Sequence, residues 1–207
     1  MTSFEKLYQI AVSNYGSMLD LEASLPVAKT EKELEDIPDD RYLSMMTRCV
    51  FRAGFVWRVI DHKWNGFESS FVNFNPLVIA HFSDDRLEEL AQDTNIVRNF
   101  TKIVATRNNA GFVLDQQRRY GSFAKFIAKW PSNDISGLWL ELKKQGSRLG
   151  GNTGPMMLRG MGKDTFLMTK DINSSNGPTW PLTFLKSLSR NVWSCWLAKM
   201  NSCTVRQ

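Results

Sequence analysis

Apolar residues return at three- and four-residue steps along most of the chain, and the strict alternation and β-branched clustering that mark strands are scarce. From residue 41 onward, Tyr42, Met45, Met46, Cys49, Val50 and Ala53 fall on one stripe of a helix that buries one side. Pro76 punctuates the stretch after Phe67, Phe71 and Phe74. Ser83, followed by Asp84 and Asp85, then caps a helix carrying Leu87, Leu90 and Ala91. Ile96, Phe100, Ile103, Ala110 and Val113 or Leu114 mark a longer amphipathic helix. Ser122 caps a short helix through Phe123, Phe126, Ile127 and Trp130 that Pro131 ends, and Asp134 caps another through Leu138, Trp139 and Leu142 that Gly146 ends. Residues 1–40 look helical from Phe4 to Ile10, then turn acidic and close at Pro38, as a cover or arm would. The pattern predicts an all-α protein with no internal repeat up to this point.

Composition sharpens that picture. The chain has 207 residues, of which 43% are hydrophobic, enough for one well-buried core and a small subdomain. No apolar run reaches membrane-spanning length and the amino terminus lacks a signal-peptide pattern, so the expected location is the cytoplasm, with no membrane partner. Cys49, Cys195 and Cys203 make neither a disulfide framework nor a Cys/His ligand spacing. Charge is unevenly placed. Residues 1–47 hold four Lys or Arg against nine Asp or Glu, net −5, whereas 48–207 hold twenty-two against twelve, net +10. A basic body beside an acidic appendage fits a polyanion-binding surface, and fits an ordinary solvated surface as well.

The stretch from Gly150 to Asp171 carries the candidate chemistry. Thr153 before Gly154-Pro155 reads as a helix start, Leu158-Arg159-Gly160-Met161-Gly162 as a tight hairpin, and Asp164 to Lys170 as a second short helix. The whole, at about 153–170, has a helix-hairpin-helix pattern. Glycines at 160 and 162 would let backbone N–H groups approach a phosphate. The helix start at Thr165 would add partial positive charge and Lys163 a full one, gripping DNA without reading its sequence. A plain turn between two core helices is the alternative.

In wording and order, several segments resemble the 3-methyladenine DNA glycosylase I family of helix-hairpin-helix glycosylases. They are Ala53-Gly-Phe-Val-Trp57-Arg-Val-Ile60, Lys63-Trp-Asn-Gly-Phe-Glu-Ser-Ser-Phe71, Phe74-Asn-Pro76, Asp93 through Arg98 to Lys102, Asn109-Ala110 and Gly121-Ser-Phe123. The resemblance covers residues 41–172 and implies a helical enzyme that flips an alkylated base out of duplex DNA and hydrolyses its N-glycosidic bond. It also implies site residues. Trp57 matches the pocket tryptophan, with Phe55 beside it and Cys49 where the family has a pocket glutamate; a core position is the alternative for Trp57. Asp171 falls where related enzymes carry a carboxylate that orients water or stabilises a cationic sugar, and a surface cap or pair is its alternative. Asp164 stands where bifunctional members have a lysine, so a Schiff-base lyase step is not expected.

Other features depart from the family. His62 and His81 are both internal, so the terminal Cys/His set of zinc-bearing members is missing, and neither metal nor other cofactor is expected. After Ile172 the chain runs Asn-Ser-Ser-Asn-Gly-Pro into a segment with Trp180, Trp193 and Trp196; an altered reading frame or a divergent helix from Leu182 to Met200 would each account for it. The expected organisation is an acidic helical segment 1–40, a glycosylase-like domain 41–172 and an atypical tail 173–207. The expected protein is a monomeric DNA glycosylase acting on double-stranded DNA with alkylated bases such as 3-methyladenine. The alternative is a catalytically inactive relative that recognises damaged or bent DNA.

Overall fold

A computed structural model describes residues 12–24 and 27–167, together with Gln9. Among the described residues every regular element is helical. The chain divides into two compact units, Thr30–Lys163 and a second formed by residues up to Lys29 with those from Asp164 onward. In the second unit, α1 is Met18–Ser24.

The larger unit starts where its sequence provides a start. Thr30 and Glu33 form a reciprocal capping box on the short helix α2, Glu31–Glu35. Helix α3, Asp39–Arg52, buries Tyr42, Leu43, Met46, Cys49, Val50 and Phe51, close to the stripe expected for it. Then follow α4, Trp57–His62, α5, Trp64–Ser70, and a single 3-10 turn, Val72–Phe74. Asn75 caps α6, Pro76–Ala80, with Pro76 in the first turn where a missing N–H costs nothing. Ser83 caps α7, Asp84–Gln92, as its spacing predicts.

The central element is α8, Phe100–Tyr120, capped by Asn99 and closed by Gly121. It packs against α3, α6, α7 and the following helix α9, Phe123–Ala128. Its apolar stripe is only part of its buried surface, because Lys102, Thr106, Asn109 and Gln116 are buried too. These four fall at steps that keep them on one face, giving the core a polar seam. The Asp39 carboxylate, at the start of α3, takes the Phe123 and Ala124 N–H groups (2.8 Å each) and the Gln117 amide (2.7 Å), which fixes α9 and the end of α8 on α3.

Helix α10, Ile135–Gln145, is capped by Asp134 and ends at Gly146, as expected. The hairpin is where the structure corrects the sequence. Helix α11 spans Thr153–Met161 with Asn152 at its cap position, so Leu158, Arg159 and Gly160 lie inside the helix and not in a turn. Gly160 serves close packing: a Cβ there would stand 2.9 Å from the Met45 sulfur of α3. Only Gly162 turns the chain, at φ 96°, a left-handed cap that glycine adopts without steric cost. Residues 164–167 are not helical, and the rest of the expected second helix lies outside the described residues. Two helices joined by a hairpin do occur one element earlier, as α10, the link 146–152 and α11.

Candidate nucleic-acid interface

The end of α3 and the start of α4 present an aromatic ridge. Phe55 is 41% and Trp57 49% exposed, with Val56 exposed between them. This is unusual for large apolar side chains in a loop between two packed helices, and such patches mark binding surfaces. One neighbour of Trp57 is already set: the Arg52 guanidinium lies 5.1 Å from its ring centroid. Arg52 is itself held by both oxygens of Asp61 at 2.5 and 2.7 Å. Arg48 donates to the same Asp61 at 2.9 and 2.7 Å and lies 5.3 Å from the Trp64 ring centroid. Burial raises the Asp61 carboxyl, but the hydrogen bonds from Arg52 and Arg48 outweigh it and hold the group below the usual carboxylate range. One carboxylate thus fixes two guanidiniums, each against a tryptophan.

Cys49 is buried on the same stretch of α3, and burial pushes its thiol up to about 11 against the opposing pull of Arg52 and Arg48. It is a neutral thiol at neutral pH. We expect native protein at pH 7.5 to leave Cys49 unmodified by iodoacetamide while denatured protein is labelled fully, as peptide mass mapping will show; rapid native labelling would place the thiol at the surface.

Below the ridge lies Lys102 of α8, 5% exposed. Its ammonium donates to the Phe51 and Ala53 carbonyls at 3.1 and 2.7 Å and lies 4.5 Å from the Phe55 ring centroid. Burial, and then the nearby Arg148 charge, hold Lys102 below the ordinary lysine range. Seven residues on, Asn109 grips the link between α10 and α11 from both sides, donating to the Ser147 carbonyl (3.1 Å) and accepting its N–H (2.7 Å). That link carries exposed Arg148 at φ 61°, a left-handed conformation costly for a residue with a Cβ, and then Gly150 and Gly151. Lys143 and Lys144 close the last turn of α10 beside it.

The sequence-predicted residues divide between these surroundings. Cys49, Phe55 and Trp57 fall on one short stretch at the α3–α4 junction. Gly160 and Gly162 lie at the far end of α11, away from its start. Lys163, expected on a DNA phosphate, is turned inward: it is 6% exposed and donates to the Ala128 and Trp130 carbonyls at 3.0 and 2.9 Å. A cation so engaged ties α9 to α11 and has little left for a phosphate. Thr165 belongs to the other unit, its hydroxyl donating to the Phe166 carbonyl at 3.4 Å. Asp171 lies outside the described residues. Sequence reasoning missed Asp61, Lys102, Asn109 and Arg148. The Gly146 and Gly150-Gly151 punctuation between two capped helices was the available signal for the last. Among the described residues no group of three or more His, Cys, Asp or Glu could hold a metal.

Residues 35–148 match the sequence profile of the family described as methyladenine glycosylase, over more than half of the chain. The chain belongs to the methyladenine glycosylase family. Consistent with this, it is 29% identical over 76 residues to DNA-3-methyladenine glycosylase 1 of Escherichia coli (strain K12), a match spanning 37% of this chain and 41% of that relative. The matched part is thus about two fifths of the relative's length. In three dimensions it is similar to the 3-methyladenine DNA glycosylase I from Staphylococcus aureus, with a TM-score of 0.56 and 21% identity over 77% of this chain and 92% of that one. A second neighbour, a 3-methyladenine DNA glycosylase I solved in complex with 3-methyladenine, gives 0.51 and 22% over 77% of this chain and 93% of that one. These likenesses establish the family's all-helical fold, and the family profile spans the aromatic ridge, Lys102 and Asn109.

Proposed function

We propose that this chain is a monofunctional DNA glycosylase of base-excision repair that flips an alkylated base, such as 3-methyladenine, out of duplex DNA and hydrolyses its N-glycosidic bond. The observation that carries the reading is the exposed Phe55–Trp57 ridge, set by buried polar contacts beside a basic, glycine-containing hairpin on a methyladenine glycosylase scaffold. Chemistry supports the pairing. An N3-alkylated adenine is cationic and leaves readily, so the protein must extrude it, offer it an aromatic face and stabilise charge developing on the sugar. Trp57 is the stacking surface, with Phe55 two residues before it and buried Cys49 on the preceding helix. The hairpin 146–152 and the start of α11 hold the DNA backbone, in place of the assignment to Gly160, Gly162, Lys163 and Thr165. Asp171 remains the proposed group for water or the sugar cation. The working protein is a cytoplasmic monomer whose catalytic region is residues 41–172, requiring no cofactor.

The deciding experiment is release of free base from duplex DNA treated with a methylating agent, followed by chromatography of the released bases. Release of 3-methyladenine by wild type supports the reading; tight binding with no base released would establish the second reading, a non-catalytic clamp. One observation favours the clamp: the carboxylate beside Trp57, Asp61, is already neutralised by two guanidiniums.

Arg148 provides a test of the hairpin. Neutralising one phosphate contact removes about one unit of the slope of log affinity against log salt. Arg148→Ala should therefore weaken binding to undamaged and damaged duplex equally, with that loss of slope, in a salt titration followed by fluorescence anisotropy. An unchanged slope would take Arg148 off the DNA.

A further inference from the structure

Lys102 is a buried ammonium for which, among the described residues, no carboxylate partner is found. An isolated buried charge is costly unless the site solvates it. Here the solvation comes from the carbonyl end of α3. Its fourteen residues sum their peptide dipoles toward the Phe51 and Ala53 carbonyls that accept from Nζ. The Phe55 ring, with Nζ 4.5 Å from its centroid, adds a π face. All three groups belong to the segment leading into the aromatic ridge, and the lysine belongs to α8, the long central helix. Arg52 flanks the Trp57 side of the ridge, and Lys102 supplies the contact from α8 to its Phe55 side.

We propose that Lys102 is a positioning residue for base extrusion, tying off the end of α3 so that Phe55 and Trp57 are presented in a fixed pose, without itself touching DNA. This rests on the glycosylase reading for its consequence and on the geometry alone for its mechanism. The same face of α8 holds the hairpin through Asn109, two turns away, so one helix sets the register between the surface that stacks the base and the surface that holds the backbone. Pre-organisation of this kind acts on the flipped complex and leaves non-specific affinity alone.

The test compares binding to duplex containing a single 3-deaza-3-methyladenine, which keeps the shape of the lesion but has a stable glycosidic bond, with binding to the same duplex undamaged. Lys102→Met, which keeps the stem and removes the donors, should reduce the preference for the lesion-bearing duplex by about tenfold or more. Affinity for undamaged duplex and its salt slope should stay within about twofold of wild type. Hydrogen exchange at amides 53–57 of the free protein should rise, and Lys102→Arg, which again offers donors to both carbonyls, should restore the preference. An unchanged preference, or equal weakening on both duplexes, overturns the proposal. If Lys102→Met does not fold, Lys102→Leu, which also lacks donors, carries the same comparison with the same outcomes. If wild type releases no base from methylated duplex, the glycosylase reading fails, and exchange at 53–57 then decides the positioning role separately: unchanged protection in the variant overturns it.

Discussion

Replacing Lys163 by glutamate should destabilise the whole larger unit by about 3–5 kcal/mol, an amount usual for leaving a buried charge without its partner. In wild type the ammonium closes the chain end of α9 by donating to the Ala128 and Trp130 carbonyls at 3.0 and 2.9 Å. A glutamate would turn a carboxylate toward two carbonyl oxygens in a site only 6% open to solvent, so repulsion adds to the lost hydrogen bonds. Water cannot relieve it without opening the packing of α9 against its neighbours. For a chain of this size the loss corresponds to a fall of about 10 °C in the thermal midpoint. Lys163→Met should cost less, because it leaves the carbonyls unsatisfied but buries no charge. The surface reading of this lysine predicts the reverse: an unchanged midpoint together with a flatter salt dependence of DNA binding. Circular dichroism melts with a parallel salt titration separate the two, and the second pattern would return Lys163 to the interface.

The Lys163 case shows where the sequence was legible and where it was not. Helix positions followed from periodicity and caps, because the side-chain oxygens of Ser83, Ser122 and Asp134 each accept a backbone N–H from the first turn of the helix that spacing places there. The all-helical fold followed in turn. The hairpin was misplaced because Gly160-Met161-Gly162 has the composition of a turn, and glycine has two uses that sequence cannot separate. At Gly162 it permits a left-handed cap; at Gly160 it lets α11 approach Met45. The hairpin that the structure places between α10 and α11 was marked by Gly146 and Gly150-Gly151, but its one strained position is filled by Arg148, which reads as an ordinary surface cation. Lys102 was hidden for a similar reason. A lysine on an amphipathic helix is usually solvated, and only the three-dimensional arrival of the α3 carbonyls makes it a buried tie. Phe55 and Trp57 stood out through their resemblance to a family motif; their exposure is a tertiary property that hydrophobicity alone would deny.

Trp57→Ala should separate recognition of a damaged site from grip on the duplex. Half of the indole is open, and the Arg52 guanidinium is held at 5.1 Å by the Asp61 fork, so the ring is fixed before DNA arrives. Stacking of a base on such a ring contributes about 1–3 kcal/mol, and its loss should weaken binding to duplex carrying a damaged base by roughly 5- to 150-fold. Undamaged duplex, whose bases stay stacked, should bind as before. Arg52 is left without its aromatic neighbour but keeps Asp61, so stability should fall little; Trp57→Phe should recover part of the discrimination. Asp171→Asn should give the complementary result, leaving binding to the damaged site nearly intact while slowing base release by on the order of 100-fold, since a fixed charge facing the sugar contributes most where positive charge develops. Single-turnover base release and anisotropy on the same duplexes measure both quantities. If Trp57→Ala weakens damaged and undamaged duplex alike, the indole is a general backbone contact and the base is received elsewhere. If Asp171→Asn releases base at the wild-type rate, the sugar cation is stabilised by another group, and the fork of Asp61 between Arg48 and Arg52 becomes the next carboxylate to replace.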